Sequence, residues 1–406
     1  MSAGPVEALA DRAAACAQRL LAAEEVLLAS HIDADGLTSA AVAATALQRA
    51  ALPVEVVFEK QLDAERIAAI AAREEETVLF TDFGSGQLDE IAAHEAEGAF
   101  TPVIADHHQP ADAETEFHLN PLLEGINGAS ELSGAGAAYV LARALEDDAD
   151  NRDLAALAVV GAVGDMQASG GELVGANADL AAEGVAAGAL DTGQDLAMYG
   201  TQTRPLHKLL EYAGDVRIPG VTGSERGAIE FLESCGIELR DDDGEWRRWA
   251  DLDRAEKTTV VSALLQRAIE RGVPAEKVES LVGTTYTLAR EAPGTELRDA
   301  SEFSTLLNAT ARYERADVGL AVCLGERGDP LDAARGLLRE HRRNLSEGLS
   351  WVKREGVTVE DDLQWFHAED RIRETIVGIV AGMALGSDAT ESDRPIVGFG
   401  HKNDEE

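Results

Sequence analysis

Six side chains in four separated loops carry the chemistry in this sequence. His31, Asp33 and Asp35 occupy alternate positions in Ser30-His-Ile-Asp-Ala-Asp-Gly36, and Asp82 stands alone in Thr81-Asp-Phe-Gly-Ser-Gly86. His107 lies between Asp106 and His108, and Asp165 closes Gly161-Ala-Val-Gly-Asp165. In extended backbone alternate residues share a side, so His31, Asp33 and Asp35 can converge on one point. Gly36 then permits a tight turn. Taken singly, Asp33 and Asp35 also suit a surface turn, Asp82 a helix cap, and Asp165 a solvated cap. Two adjacent histidines beside an aspartate at a strand end are not turn chemistry, and they favour a metal or phosphate site. Four carboxylates with one or two imidazoles form a hard, oxygen-rich set that suits Mn²⁺ or Mg²⁺ better than zinc. Crowded carboxylates repel one another and hold their protons unless divalent cations neutralise them. The number of ligands fits two ions better than one.

The elements that must position these loops alternate along the chain. After a leading alanine- and leucine-rich helix over residues 5–24, the patterning predicts strands at 26–29, 54–58, 77–80 and 101–105. Helices are predicted at 38–50, 63–72 and 88–94, with a short strand at 117–120. The strands are short and apolar on both faces, as burial between helix layers requires, so the fold class is α/β with a doubly wound, mostly parallel sheet. Each candidate loop then follows a strand, where open α/β sheets place their sites. Ser133-Gly-Ala-Gly136 follows a long loop and not a strand. It therefore reads as close helix packing at the start of a helix over 137–145, not as a dinucleotide loop. A helix over 153–163 leads into Asp165.

At 406 residues the chain exceeds one typical core. The three cysteines, Cys16, Cys235 and Cys323, form no metal or disulfide pattern, which fits a reducing cytoplasm. Neither a secretory leader nor a membrane span is expected. The charge is extreme, with 75 Asp and Glu against 35 Lys and Arg, a net of -40. Such an excess is a known halophile device, and a high-salt cytoplasm is the expectation. At molar salt the Debye length falls to about 3 Å, so distant acids hardly oppose a phosphate chain held locally by metals. Net charge therefore leaves nucleic acid open as a substrate.

The four loops, in this order, resemble the signature of the DHH phosphoesterase superfamily, named for the triplet Asp106-His107-His108. The match includes Asp33-Ala-Asp-Gly36, Asp82 and the Gly-x-x-Gly-Asp ending at Asp165. Asp33-Ala-Asp-Gly-Leu-Thr-Ser39, with Asn120-Pro121 and Ser133 to Gly136, looks most similar to RecJ-type single-strand nucleases, including archaeal ones. The resemblance implies a phosphodiesterase with two Mn²⁺ ions bridged by Asp82. His31 and Asp33 would serve one ion, and Asp35, His107 and Asp165 the other. Asp106 would orient His107, and His108 would contact the scissile phosphate. Single-stranded DNA or RNA is the implied substrate. Short oligonucleotides, cyclic dinucleotides or pyrophosphate form an alternative within the superfamily. A non-catalytic scaffold for the replication machinery is another, and a replisome protein is an expected partner in either case.

The resemblance further implies a DHH catalytic domain over residues 1–195, a helical bridging region over 196–355 and a smaller α/β domain over 356–406. That last domain looks partial, because the Gly-Gly-His motif expected after the strand at 395–399 does not follow before Glu406. Arg335, Arg339, Arg342 and Arg343 share one helical face and could track a nucleic-acid backbone, or pair with Glu340 and Glu347. Trp351 and Trp365 are expected to be buried, and Asp241-Asp-Asp-Gly244 to form a solvated turn.

Overall fold

The short apolar runs become the strands of one sheet. The computed structural model describes residues 4–401 except 147, 148, 169, 215, 386 and 388. Residues 402–406, the end of the expected third domain, lie outside the described residues. Helix α1 (Ala10–Leu21) leads into β1 (Val26–His31), α2 (Ala34–Arg49), β2 (Val54–Glu59), α3 (Ala64–Ala71), β3 (Thr77–Thr81), α4 (Leu88–Ala96), β4 (Thr101–Ala105) and β5 (His118–Leu119). The strands stand in the order β2-β1-β3-β4-β5, and every neighbouring pair is parallel. In this order the chain winds outward in both directions from β1 and β3. The carboxyl ends of those two strands flank the switch point, where such sheets open a crevice.

The two faces of the sheet are packed differently. On one, Leu27, Phe80 and Ile104 meet Ile67, Ile70, Leu88 and Ile91 of α3 and α4. On the other lie α2, α5 (Gly134–Ala144) and α6 (Ala155–Gly164), which pack on one another. Their buried faces are rich in alanine, including Ala40, Ala44, Ala135, Ala138 and Ala158. Small side chains let these backbones approach closely, which carries the amino end of α5 up to the crevice.

After α7 (Gly175–Ala186), β6 (Leu190–Leu196) pairs antiparallel with β7 (Val282–Leu288). Between them the chain forms α8 (Leu206–Glu211), α9 (Glu225–Ser234), α10 (Arg254–Glu270) and α11 (Ala275–Glu279) around Leu209, Phe231, Trp249, Val260 and Leu264. The chain falls into two compact units, Met1–Thr305 and Leu306–Glu406. The helical region expected over 196–355 is thus divided at 305, because β6 and β7 tie its first part into the first unit. The boundary expected after residue 195 falls inside β6.

The helix α12 (Ala300–Arg312) runs across the division. The second unit continues with α13 (Ala316–Cys323), the long α14 (Asp329–Glu355), β8 (Thr358–Val359), β9 (Gln364–His367), α15 (Glu374–Ala384) and β10 (Ile396–Phe399). Its three strands stand in the order β10-β9-β8. Val352, Phe366, Ile376 and Val380 form its core. The protein is therefore α/β, with a five-stranded parallel sheet, helical regions and a smaller part bearing a further sheet.

Candidate metal centre

The crevice at the carboxyl ends of β1, β3 and β4 gathers all six expected ligands. Asp33 caps α2, its side chain accepting from Gly36 N at 3.0 Å. The helix therefore begins four residues earlier than its sequence pattern suggests, and Asp35 sits in its first turn. That start separates the two aspartates. His31 and Asp33 meet Asp82 on one side, whereas Asp35 meets His107 and Asp165 on the other. Alternation along an extended strand thus holds for His31 and Asp33 alone. Gly36 is required for closeness, since a Cβ there would overlap the His31 carbonyl oxygen.

Asp82 stands between the two groups. Its nitrogen donates to Ala105 O at 3.1 Å, and its φ of 60° is left-handed, which costs a non-glycine residue about 1–2 kcal/mol. Such a conformation persists where surrounding structure enforces it, and here it stands at a cluster of charged groups. Asp82 Oδ2 lies 3.5 Å from His31 Nδ1 and Oδ1 lies 3.3 Å from His107 Nε2. Oδ1 is buried and makes no hydrogen bond among the described residues. With only the His107 imidazole facing it and no well-formed hydrogen bond, this buried carboxylate oxygen carries a desolvation penalty, and a divalent cation is the partner that its neighbours fit.

Asp35 is held by the start of α5. Gly134 N and Ala135 N donate to its two oxygens at 2.8 and 3.0 Å. Gly134 is needed there, because a Cβ would collide with Asp82 Oδ1. A Cβ on Gly161 would collide with Asp35 Oδ1, so the glycine that opens the run to Asp165 makes room for Asp35 as well. Asp165 Oδ2 accepts from Gln167 Nε2 at 2.8 Å and lies 3.9 Å from His107 Nδ1.

Burial raises the Asp35 carboxyl well above the usual carboxylate range, and repulsion from Asp82 adds to it. Asp165 rises for the same first reason. Burial by itself would lower His31, but hydrogen bonds to Asp33 and Asp82 override it and push its pKa up to about 10. His107 follows the same pattern, with Asp82 and Asp35 lifting it to about 11. A cation binding here must therefore displace imidazole protons.

The partner that fixes the His107 ring is not Asp106. Nδ1 of His107 pairs with Gly128 O at 2.7 Å, leaving Nε2 toward Asp82 and Asp35. Gln167 Nε2 donates to the same carbonyl at 2.8 Å, and Gln167 Oε1 accepts from Asn177. Asp106 reaches His107 through its backbone: Oδ1 accepts from the amides of His107 and His108 at 2.7 and 3.2 Å, and Oδ2 from Ser85 N at 2.9 Å. Its ring partner is His108, whose Nδ1 lies 2.8 Å from Oδ1. With both oxygens committed to these donors, Asp106 shapes the loop that carries His107. The aspartate's pKa is low because those partners overcome its burial.

The four arginines of the predicted stripe share one helix. They belong to α14, in the second unit, with Arg339, Arg342 and Arg343 on its outer face and Arg335 3.5 Å from Asp332. Trp351 and Trp365 are half-buried rather than buried, each with its ring beside a phenylalanine. Asp241 to Gly244 forms a turn in which Asp241 Oδ1 accepts from Asp243 N and Glu245 N. Gly128, Gln167 and Asn177 escaped the sequence reading. A backbone carbonyl leaves no residue signature, and the nearest hint was Gln167 itself, two residues past Asp165.

No helix among the described residues is long and apolar enough to cross a membrane. Residues 25–162 match the model of the DHH family, N-terminal domain, and residues 198–282 match that of the DHH-CID domain. An uncharacterised protein of Methanocaldococcus jannaschii is 28% identical over 378 residues, covering 91% of this chain and 77% of that one. RecJ from Thermus thermophilus, solved in complex with Mn²⁺, has the same fold, with a TM-score of 0.58 and 19% identity. The match covers 98% of this chain and 47% of that one, so the present chain spans about half the length of the Thermus protein. CDC45 from Entamoeba histolytica matches with a TM-score of 0.62 at 12% identity, over 92% of this chain and 80% of its own. With both domain models matched in order, the triplet at Asp106 to His108 in place and a RecJ-like fold, the chain belongs to the DHH superfamily.

Proposed function

We propose that this protein is a two-metal phosphodiesterase, a RecJ-like exonuclease acting on single-stranded DNA or RNA, with Mn²⁺ as its preferred ion and Mg²⁺ as a substitute. The observation that carries this reading is Asp82, buried between two sets of ligands, with Oδ1 facing His107 Nε2 at 3.3 Å but holding no well-formed hydrogen bond. His31 and Asp33 would hold one ion, and Asp35, His107 and Asp165 the other, with Asp82 shared. Divalent cations held by these residues would supply an acidified water and neutralise charge building on the phosphoryl oxygens.

The protein's own groups prepare that chemistry. Gly128 O fixes the His107 tautomer so that Nε2 is free to ligate, and Gln167 steadies both Gly128 O and Asp165. His108, anchored through Nδ1 by Asp106, presents its outer edge to solvent beside the ligands and would contact the scissile phosphate. The complete ligand set favours an active enzyme over a scaffold that no longer needs its metals. The arginines of α14 would contact nucleic-acid backbone, and a replisome partner in the cytoplasm is compatible with either polarity of digestion.

The test is a length series of single strands labelled at the 5′ or 3′ end, in high salt, with Mn²⁺ or with chelator. Stepwise shortening that requires Mn²⁺ is expected. Cleavage confined to dinucleotides would move the assignment to small substrates, and no cleavage at all would end it.

A further inference from the structure

Beside the ligands lies a cavity of about 620 Å³, within the usual range of small-molecule sites, about 300–1,000 Å³. It shares His31, Asp82 and His108 with the metal centre. Its remaining wall is built by the loops that follow β2, β3 and β4. Leu62 and Phe83 form an apolar floor, 5% and 8% exposed, and Gln61, Gln87 and Gln109 surround it with three neutral amides.

These amides are available. Gln87 Oε1 accepts from Gly84 N at 3.3 Å, which orients the group and leaves its nitrogen without a protein partner among the described residues. Gln61 and Gln109 are exposed. An anion gains little here, because Asp63, Asp82 and Asp106 line the cavity with Lys60, and its two imidazoles, His31 and His108, already sit against Asp33 and Asp106. A flat, neutral group with hydrogen-bonding edges and apolar faces matches the wall. Glutamine amides pair with base edges through one donor and one acceptor, and an apolar floor accepts the face of the ring.

We propose that this cavity receives the base of the terminal nucleotide, next to the scissile phosphate. Gln87 and Gln109 read its edge, and Leu62 and Phe83 support its face. The proposal rests on the phosphodiesterase reading of the adjacent centre and adds a specificity site to it: the enzyme senses the base at the strand end as well as the backbone. The cavity has room for one nucleoside, which fits release of single nucleotides.

Two measurements on the full chain test it. In the first, equal strands ending in an ordinary or an abasic nucleotide are digested with Mn²⁺. The base should improve kcat/KM about tenfold, the scale of one base contact, and the paired substitutions Gln87→Leu and Gln109→Leu should collapse that ratio toward one. In the second, fluorescence follows binding of the uncharged 2-aminopurine nucleoside in chelator, and the double variant should weaken it by a similar factor. Equal digestion of both strands by the wild-type protein overturns the pocket and leaves the nuclease reading standing, as does an unchanged preference in the double variant. Absence of nucleoside binding also overturns it. Nucleoside binding that the double variant weakens, in a protein that cuts no strand, supports the pocket and removes the nuclease.

Discussion

Acidic side chains obey opposite rules in the metal centre and in the helical region between β6 and β7. Asp195 of β6, facing that helical region, and Glu256 of α10 each meet donors of their own. Asp195 accepts from Trp249 Nε1 and Lys257 Nζ, both at 3.0 Å. Glu256 closes a capping box with Asp253 and takes a two-pronged contact from Arg247 at 2.7 and 2.9 Å. In the metal centre Asp35 and Asp82 confront each other, and the cationic side chains beside them are imidazoles. Satisfied carboxylates stabilise a fold by themselves. Crowded ones mark the place where the protein needs a ligand to complete its electrostatics.

The largest effect should follow from removing the shared charge. Asn tolerates the left-handed backbone of Asp82 better than Ala does, so Asp82→Asn isolates the charge from the strain. Hydrolysis should fall by about a thousandfold or more, in line with loss of a metal-bound charge-stabilising group, some 4 kcal/mol. The rise in melting temperature on adding Mn²⁺ should vanish with it. An Asn variant that still gained stability from Mn²⁺ would break the contrast, because Asp82 would then be an ordinary buried acid.

The support beneath the triplet has a pH signature of its own. His118 is buried, and Asn120 Nδ2 donates to Ser85 Oγ, which lies 2.9 Å from His118 Nε2. Burial pushes the His118 pKa down to about 4 from an ordinary value of 6.5. Between those values the unfolded chain binds the proton and the folded one does not, so stability falls as the pH drops from 6.5 toward 4. The contribution is about 3 kcal/mol over that window. His118→Gln should flatten the corresponding segment of a pH–stability curve measured by denaturant unfolding. An unchanged slope would mean that other groups govern it.

A smaller loss is expected at Gly134, where the backbone touches the centre. In Gly134→Ala the new methyl would collide with Asp82 Oδ1, so either the carboxylate or the amino end of α5 must move. Mn²⁺ affinity, read by titration calorimetry, should weaken by about 10- to 100-fold, as when a group that positions a ligand is lost. Wild-type affinity would show that Asp82 has slack, and that its oxygen is not fixed for a bridging role.

Much of this arrangement could be read before the structure, and the reasons differ by region. The runs before Asp33, Asp82 and His107 are apolar on both faces, a pattern that buried parallel strands require, so their carboxyl ends were predictable. The ligands themselves are rare residue types in unusual company. The opening turn of α2 was hidden because Asp-Ala-Asp-Gly suits a loop as well as a capped helix. Strands β6 and β7 were hidden because Leu190-Asp-Thr-Gly-Gln-Asp-Leu196 shows no alternation and is largely exposed. Its partner lies more than 80 residues away, beyond any local pattern. The Gly128 carbonyl and Gln167 remained out of reach because a main-chain acceptor and a solitary glutamine look alike in every loop.

The smallest expected effect is also the control for the rest. Asp195 lies in the same unit as Asp82 and is an aspartate near a cation, but its Lys257 and Trp249 partners already answer its charge. Asp195→Asn keeps the size and one acceptor while removing the charge, so the loss should be about 1 kcal/mol of stability, the usual scale of a partly buried hydrogen-bonded pair. In a denaturant titration the midpoint should shift by that amount, and the further shift on adding Mn²⁺ should match the wild type. A change in the Mn²⁺ increment would mean that charge in the helical region reaches the metal centre. The two populations of carboxylates would then have to be treated as one electrostatic system, with the ion affinity set by the whole acidic unit and not by six side chains.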